Sequence, residues 1–361
     1  MRPMPKQANS PSVSEPDDAP VRVALIGYGL GGSAFHAPLV AATPGLELAA
    51  IVTSDAARAA AARSRYPRAP IRDRAERIWR AASDFDVAVI STPNRTHAPL
   101  AEAALQAGLH VVVDKPLAPT AAEARRLIEV ARERGRLLTV YQNRRWDADF
   151  LTLSRLLADD ALGTVHRFES RFERWRPELK AGWRQQPDRA DAGGVLFDLG
   201  AHLIDQALVL FGRPVEVYAE LDRRRAGSLV DDDVFVALKH ASGAHSHLWM
   251  SLLAAGDAPR FRVLGARGAW TKHGLDPQEA RLRDGGAVDE TLGVEAENDW
   301  GELMQDGTVR RTPAERGSWT AFYEGLVHAI RDSAPPPVDA ADAVAVLEVI
   351  EAARAYAGLD P

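Results

Sequence analysis

The stretch VRVALIGYGLGG, residues 21–32, decides the fold. Its first six residues, Val21–Ile26, form an apolar and largely β-branched run that predicts a buried strand. The run leads directly into a Gly-x-Gly-x-x-Gly turn, and a helical pattern follows as far as Ala42. In a strand–turn–helix setting such glycines permit a tight turn and let the backbone approach a pyrophosphate at the helix N-terminus. We therefore predict a dinucleotide site here, formed by Gly27, Gly29, Leu30, Gly31 and Gly32; the alternative is a glycine turn that binds nothing.

The alternation of strand and helix continues outward from this motif. Further strands are predicted at Leu46–Val52, near Ile71, and at Val87–Ile90, Val111–Val113 and Leu138–Tyr141. Helical patterns at about 55–65, 74–82, 96–107 and 120–134 separate them. Strands joined by helices imply right-handed crossovers and a parallel sheet covered on both faces. The sequence thus predicts an α/β fold whose Rossmann domain covers residues 21–142.

The pattern changes after residue 142 and predicts a second, α+β domain over residues 143–361. Helices are predicted at Ala148–Leu157, Leu199–Leu210, about 318–332 and about 340–356, and strands at Val165–Trp175, Val215–Leu221, Val234–His240, His245–Leu253, Arg260–Leu264 and Ala269–Lys272. Turns such as Ala-Ser-Gly-Ala predict hairpins, so we expect an open, mostly antiparallel sheet. This domain would offer a sheet face and loops to the substrate. Residues 283–311 are rich in Gly, Asp and Glu and predict a long loop.

The composition excludes several classes of protein. The 361 residues suggest about two domains, and a net charge of −6 argues against a dedicated nucleic-acid binder. The chain contains no cysteine, which excludes disulfides, thiolate catalysis and Cys-type zinc sites. No run of about 18 apolar residues predicts a membrane span. Residues 1–20 are rich in Pro, Ser and Asp without the apolar run of a signal peptide, so we expect a disordered tail on a cytoplasmic protein.

The tip of the second strand determines which dinucleotide binds. An acidic side chain there selects NAD through the ribose 2′-hydroxyl, whereas a small residue with a nearby arginine accepts the 2′-phosphate of NADP. The tip reads Thr53-Ser54-Asp55, followed by Arg58. If Ser54 holds the selecting position, Arg58 can neutralise the phosphate; if Asp55 holds it, NAD is favoured. We expect NADP, with NAD as the open alternative.

Asp114-Lys115-Pro116 directly follows the strand Val111–Val113. Ligands bind at the carboxyl ends of parallel strands, so Lys115 is predicted to face the cofactor cleft and donate to a substrate oxygen. The alternative is a surface lysine beside a turn. Only five lysines occur among the 44 basic residues, which makes each one notable, and the other four are expected in the tail or at the surface: Lys6, Lys180, Lys239 and Lys272.

A second motif runs from Gly193 to Asp205 and contains Asp198 and His202. Four residues apart on a helix, the two side chains would share one face. An imidazole is a suitable general acid or base for an alcohol–carbonyl couple, and the carboxylate could orient it. Two alternatives remain: Asp198 caps the helix while His202 is a satisfied core histidine, or the pair shares a metal ion.

Taken together, these motifs resemble the glucose–fructose oxidoreductase/inositol dehydrogenase/rhizopine-catabolism (Gfo/Idh/MocA) oxidoreductases from Val21 to Ala357. The resemblance is carried by the glycine motif with the following Phe-His-Ala-Pro, the loop Thr92-Pro93-Asn94-Arg95-Thr96-His97, Asp114-Lys115-Pro116, Asn143-Arg144-Arg145-Trp146-Asp147 and the Asp198–His202 segment. Within the family the chain is most similar to the NADP-dependent scyllo-inositol dehydrogenase branch. The family more often has Glu where this chain has Asp114, an acid one methylene shorter.

The resemblance implies an NAD(P)-dependent dehydrogenase that moves a hydride between nicotinamide and a secondary alcohol or ketone of a polyol or sugar. Lys115, Asp198 and His202 would be catalytic, and Arg144 would bind substrate with them. Thr92, Pro93, Asn94, His97 and Asp114 would contact the cofactor, no metal would be used, and Asp205 would support the site from behind. For His97 the alternative is a solvent-facing residue at a helix start.

Family members are commonly dimers or tetramers through the second sheet, so the resemblance also implies a homo-oligomer. Aromatic and arginine residues crowd residues 167–184, and we assign most of them to that interface. Two other functions stay open: an NAD-dependent glycoside hydrolase on the same fold, and a non-catalytic dinucleotide sensor. A sensor has no need of Lys115, Asp198 and His202 together, which counts against it.

Overall fold

The computed structural model describes residues 19–180 and 182–359. Of the tail predicted for residues 1–20, residues 1–18 lie outside the described part of the chain. Two sheets organise the described residues, one in each half of the sequence.

The first sheet has six strands in the order β3-β2-β1-β4-β5-β6, all parallel. Its strands are β1 (Val21–Ile26), β2 (Leu46–Val52), β3 (Ile71–Arg72), β4 (Val87–Ile90), β5 (His110–Asp114) and β6 (Leu138–Tyr141). The connecting helices are α1 (Ala37–Ala42), α2 (Ala56–Arg65), α3 (Glu76–Trp79), α4 (His97–Gln106) and α5 (Ala121–Glu133). This is the predicted Rossmann topology, whose strand order changes direction at β1 and β4 and opens a ligand crevice there.

Two local features of this half depart from the sequence pattern. The helix predicted from 33 to 42 begins with a π-helical turn, Gly31–His36, before α1 continues it. The helix predicted at 74–82 shrinks to α3, of which only Ile78 is buried, followed by a 3₁₀ turn at Ala82–Asp84. A segment with one buried apolar residue gains too little from packing to hold a longer helix.

The second sheet has eight strands in the order β14-β13-β12-β11-β7-β10-β9-β8. Its strands are β7 (Val165–Glu173), β8 (Pro214–Asp222), β9 (Asp233–His240), β10 (His245–Ser251), β11 (Phe261–Gly265), β12 (Ala269–Lys272), β13 (Glu302–Gln305) and β14 (Thr308–Arg311). Only β7 and β10 pair in parallel; the other neighbours are antiparallel. The prediction of an open, mostly antiparallel sheet is confirmed.

The prediction of one long loop over residues 283–311 is wrong at its carboxyl end. Residues 302–311 form the hairpin β13–β14, which extends the sheet edge beyond β12. Leu303 supplies the one buried side chain of this hairpin, and it pairs with the buried Trp270. Four-residue strands with so few buried positions show no period that could be read from sequence; the existing edge of β12 provides the template.

Five further helices complete the fold: α6 (Ala148–Ala158), α7 (Ala201–Phe211), α8 (Gln278–Arg283), α9 (Thr320–Arg331) and α10 (Ala340–Tyr356). A π-helical turn, Leu196–Gly200, leads into α7, which packs on β7 and β10. Of the two last helices, α10 bridges the halves by contacting α5, α7 and β8, and α9 contacts α1. Phe322 and Tyr323 of α9 belong to the same buried cluster as Leu25 of β1. The chain after residue 143 therefore also covers one side of the Rossmann sheet.

One helical stretch of the described residues, Arg189–Phe211, has the length and composition that could cross a membrane. Of its most apolar window, 72% is buried inside the protein. Such burial is typical of a core helix between two packed layers, which matches the position of α7.

Candidate active site at the carboxyl edge of the first sheet

The glycine turn after β1 packs closely against the loop that follows β4. Gly27 has a φ of +101°, and a Cβ there would lie 2.1 Å from the carbonyl oxygen of Ser91. Gly29 precedes the π-helical turn and Gly31 and Gly32 begin it, while the Leu30 side chain is exposed. The residues present thus fit the pyrophosphate of a dinucleotide, because the turn leaves backbone N–H groups uncovered at a helix start.

At the tip of β2, the structure separates the roles of Ser54 and Asp55. Asp55 caps α2, since its carboxylate accepts a hydrogen bond of 2.9 Å from the backbone N–H of Arg58. Ser54 is exposed, and the Arg58 guanidinium reaches back to Gly29, where a Cβ would lie 3.9 Å from it. A cavity of about 430 Å³ adjoins this tip and is lined by Thr53, Ser54, Asp55, Ala56, Ala59, Arg63, Ile71, Arg72, Asp73 and Arg77.

Lys115 and Asp198 form the centre of the site. The Lys115 ammonium donates to the backbone carbonyl of Asp198 and lies 3.2 Å from its Oδ1. Arg184 approaches the same oxygen at 3.1 Å through Nε. Burial raises the pKa of Asp198, but Lys115 and Arg184 outweigh burial and hold that pKa well below its ordinary value. Burial lowers the pKa of Lys115, and the Asp198 carboxylate opposes this.

His202 lies on α7 and is 7% exposed. Burial, followed by the charges of Lys115 and Arg144, lowers its pKa well below the ordinary value, so the imidazole is neutral at physiological pH. Its Nδ1 is buried and has no hydrogen-bond partner within residues 19–180 and 182–359. An unpartnered imidazole nitrogen can exchange a proton with a hydroxyl group that reaches it.

The alternatives for the Asp198–His202 motif do not match this geometry. Asp198 does not cap the helix, because the N–H of Leu196 donates to Asp231 Oδ2 at 2.8 Å instead. Nor is His202 a satisfied core histidine, given its unpartnered Nδ1. A shared metal ion is disfavoured, since Lys115 and Arg184 already neutralise the Asp198 carboxylate. The regular i,i+4 alignment is also wrong, because Asp198 lies in the π-helical turn Leu196–Gly200.

His97 supports the site rather than lining it. Its ring nitrogens lie 2.7 Å from the carbonyl oxygen of Pro116 and 2.8 Å from that of Thr92. The residue is 1% exposed, so the solvent-facing alternative is wrong. His97 thereby ties the loop after β4 to the loop that carries Lys115. Next to Pro93, which is exposed, Asn94 is buried and donates to the carbonyl oxygen of Ala192 at 3.2 Å.

Arg144 is buried behind the site. Its guanidinium pairs with Asp147 at 3.0 Å and with Glu279 of α8, and it lies 4.8 Å over the Phe172 ring. These two carboxylates outweigh burial and raise the pKa of Arg144, which is therefore a permanent cation. The expected supporting residue Asp205 pairs with Arg145 at 2.6 Å. Whether Arg144 reaches substrate stays a prediction.

Several residues lie elsewhere than the sequence suggested. Phe168 and Phe172 are core residues at 0% and 2% exposure, not interface residues, because they lie on the covered face of β7. Lys272 is buried, not at the surface, and lies 3.2 Å from Glu295. Arg184 and Asp231 were missed as site residues; both lie outside the motif, and only their contacts to Asp198 and Leu196 reveal them.

The geometry defines a dinucleotide-binding oxidoreductase. Two family models match the chain: the oxidoreductase family with an NAD-binding Rossmann fold over residues 21–142, and the GFO/IDH/MocA C-terminal domain over residues 150–271. The protein belongs to the Gfo/Idh/MocA oxidoreductase family.

Its relatives match it along almost the whole chain. The uncharacterized oxidoreductase YdgJ of Escherichia coli is 41% identical over 341 residues, 92% of this chain and 94% of that protein. The scyllo-inositol 2-dehydrogenase (NADP(+)) IolW of Bacillus subtilis is 33% identical, covering 92% of each chain. The solved structure of the oxidoreductase YvaA of Bacillus subtilis superposes with a TM-score of 0.89 at 32% identity, over 95% of this chain and 98% of that one.

Proposed function

We propose that the protein is an NADP(H)-dependent dehydrogenase acting on a secondary alcohol or ketone of a polyol or sugar, of the inositol dehydrogenase type. One observation carries the proposal. The partly buried Lys115 ammonium is held by the backbone carbonyl and the carboxylate of Asp198, and His202, four residues further along the chain, has a buried Nδ1 without a hydrogen-bond partner among the described residues. A donor and a base of this kind at the carboxyl edge of a Rossmann sheet suit the carbinol oxygen of a substrate.

Each residue has a distinct part in the proposed reaction. When bound, the nicotinamide supplies or accepts the hydride. Lys115 donates a hydrogen bond to the reacting oxygen and stabilises negative charge that develops there. His202 Nδ1 takes the hydroxyl proton during oxidation and returns it during reduction. Asp198 holds the Lys115 ammonium in place, because its carboxylate and its backbone carbonyl both accept from Nζ.

The preference for NADP over NAD rests on the tip of β2. Because Asp55 is used as the cap of α2, Ser54 is left as the small residue beside the ribose position. Arg58 reaches Gly29, and Arg63 and Arg72 line the adjoining cavity. Among the described residues, none of these three arginines forms an ion pair with an acidic side chain. Cations without partners favour a dinucleotide that carries a 2′-phosphate.

We further propose a homo-oligomer in the cytoplasm, formed through the open face of the second sheet. That face carries Tyr218, Phe235 and Trp249, with the Arg171 guanidinium 4.0 Å over the Trp249 ring. Aromatic residues and arginine are enriched in such interfaces. Light scattering on the purified protein should give a dimer or tetramer, and a monomer at micromolar concentration would contradict this part of the proposal.

The proposed activity is tested with a panel of inositols, inososes and aldoses against both dinucleotides. We expect net NADPH formation or consumption with a free polyol or its ketone, and a higher kcat/KM with NADP than with NAD. A glycoside hydrolase would cleave a glycoside with no net change in NADPH absorbance, and a sensor would bind dinucleotide without turnover. Either result would reject the dehydrogenase proposal.

A further inference from the structure

Asp114 lies beneath the glycine turn that follows β1. Its Oδ2 accepts a hydrogen bond from Ser91 Oγ at 2.8 Å and lies 3.3 Å from His36 Nε2. A Cβ on Gly31 would lie 2.8 Å from the same oxygen, so the turn closes directly over the carboxylate. Asp114 Oδ1 has no protein partner in the described part of the chain, and 25% of the side chain is exposed.

His36 connects this carboxylate to a helix from the far end of the chain. It is 0% exposed, and its Nδ1 lies 2.5 Å from the hydroxyl oxygen of Tyr323 on α9. If the Tyr323 hydroxyl donates to Nδ1, an imidazole proton lies on Nε2, which is 3.3 Å from Asp114 Oδ2 but has no partner with hydrogen-bond geometry among the described residues. Tyr323 is itself 0% exposed, so both rings are fixed by packing.

The pKa of Asp114 is consistent with its contacts to His36 and Ser91. Burial raises the pKa of Asp114, but His36 above all, with His97 and Ser91, lowers it to about 2. The acid is therefore an anion at all physiological pH values. A buried anion without these partners would have a higher pKa and a less defined orientation.

We propose that Tyr323 and His36 form a brace that positions Asp114, so that Oδ2 is fixed by protein and Oδ1 is left to accept from a cofactor hydroxyl. A carboxylate that is held at one oxygen presents its other oxygen in a fixed direction. Tyr323 and His36 are positioning residues; neither is expected to touch the substrate. The inference rests on the NADP(H) site of the proposed function.

The structure supplies a matched control for removal of the Tyr323 hydroxyl. The Tyr141 ring lies 4.4 Å from the His36 ring, and its hydroxyl is buried without a hydrogen-bond partner among the described residues. Tyr141→Phe and Tyr323→Phe therefore remove the same group from the same buried cluster. Only the second removes a contact to His36.

The experiment measures the Kd of NADPH by fluorescence titration, without substrate or turnover. One lost hydrogen bond corresponds to a rise in Kd of about 3–10-fold for Tyr323→Phe, with Tyr141→Phe unchanged. In an Asp114→Asn background, Tyr323→Phe should cause no further rise. His36→Leu should weaken binding as Tyr323→Phe does, whereas His36→Gln, which keeps a donor near the Nε2 position, should recover most of it.

The outcomes separate the inference from the function on which it rests. If the wild-type protein binds neither NADPH nor NADH, the proposed function fails and the brace fails with it. If the wild type binds NADPH and Tyr323→Phe matches Tyr141→Phe, the brace alone is refuted. An equal loss from Tyr323→Phe with and without the Asp114 carboxylate also refutes it. Should Tyr323→Phe not fold, the comparison of His36→Leu with His36→Gln decides.

Discussion

Replacing Lys115 by methionine removes the ammonium while keeping an unbranched side chain of similar length. In the structure this ammonium lies 3.2 Å from Asp198 Oδ1, and Arg184 Nε lies 3.1 Å from the same oxygen. The Lys115 side chain is 14% exposed and that of Asp198 is 33% exposed, so the pair is only partly screened by water. The substitution therefore has two separable consequences, one for stability and one for turnover.

The stability consequence follows from the distances. At an effective dielectric constant of about 20, two charges 3.2 Å apart attract by about 5 kcal/mol. Desolvation of both groups cancels much of this, and Arg184 still pairs with Asp198, so we expect Lys115→Met to lower the free energy of unfolding by about 2 kcal/mol. Because the folded-state pKa of Asp198 lies well below its ordinary value, the attraction between Asp198 and Lys115 stabilises the fold fully above the ordinary pKa and is lost as pH falls through the folded-state pKa. Lys115→Met should therefore show its full loss of stability at neutral pH.

Chemical denaturation of four proteins measures this term: wild type, Lys115→Met, Asp198→Asn and the double variant. In the Lys115→Met background, Asp198→Asn should lower the free energy of unfolding by less than it does in the wild type, which gives a coupling energy of at least about 1 kcal/mol. Effects that add to within about 0.5 kcal/mol would show that the two groups do not interact.

The turnover consequence is tested with Lys115→Arg beside Lys115→Met. We expect Lys115→Met to lower kcat by about 10²–10⁴-fold with cofactor still bound, because the proposed donor to the reacting oxygen is lost. Lys115→Arg should keep the attraction to Asp198 yet lose most of the activity, since a planar guanidinium is not a compact ammonium. Near-normal turnover in both variants on the true substrate would refute the assignment of the site.

Three further predictions concern the surrounding residues. Because burial lowers the pKa of His202, kcat/KM for alcohol oxidation should decline on the acid side only below pH 6.5, and the residual activity of His202→Gln should show no such decline. Because a buried neutral imidazole resists protonation, the wild type should also lose more stability than His202→Gln as pH falls below 6.5. A decline of kcat/KM that begins above pH 6.5 would contradict this. Arg58→Ala should lower kcat/KM for NADP by about 10–100-fold and leave that for NAD nearly unchanged, as steady-state kinetics with both dinucleotides will show. Arg95→Ala leaves the Asp191 carboxylate, 4% exposed and paired at 2.5 Å, without its cation, so the midpoint of urea denaturation should fall, with Arg95→Lys in between.

The Rossmann half could be predicted almost completely from the sequence. Strands such as Val87–Ile90 are buried on both faces, so they are continuous apolar runs, and the helices between them carry local start signals. Thr120, for example, accepts a hydrogen bond from the N–H of Glu123 at the start of α5. The position of Lys115 at a strand end follows from the same local pattern.

The candidate site could be predicted only as a list of residues. Asp198 was assigned by its spacing to His202, yet its partners are Lys115, 83 residues away, and Arg184. No local pattern encodes a contact across such a separation, because it depends on how the two sheets are joined. The hairpin Glu302–Arg311 was missed for a similar reason, since it forms on the edge of β12.

The sequence by itself determined the class of fold, the glycine turn and the residue types available for the proposed reaction, because strand period, turn glycines and helix starts are local. Only the tertiary structure decided which partner each charge has. Asp55 caps a helix, His97 joins two loops, and Tyr323, 287 residues from His36, fixes the ring beside Asp114. Buried polar groups must find partners inside the protein, and packing, not proximity in sequence, supplies them.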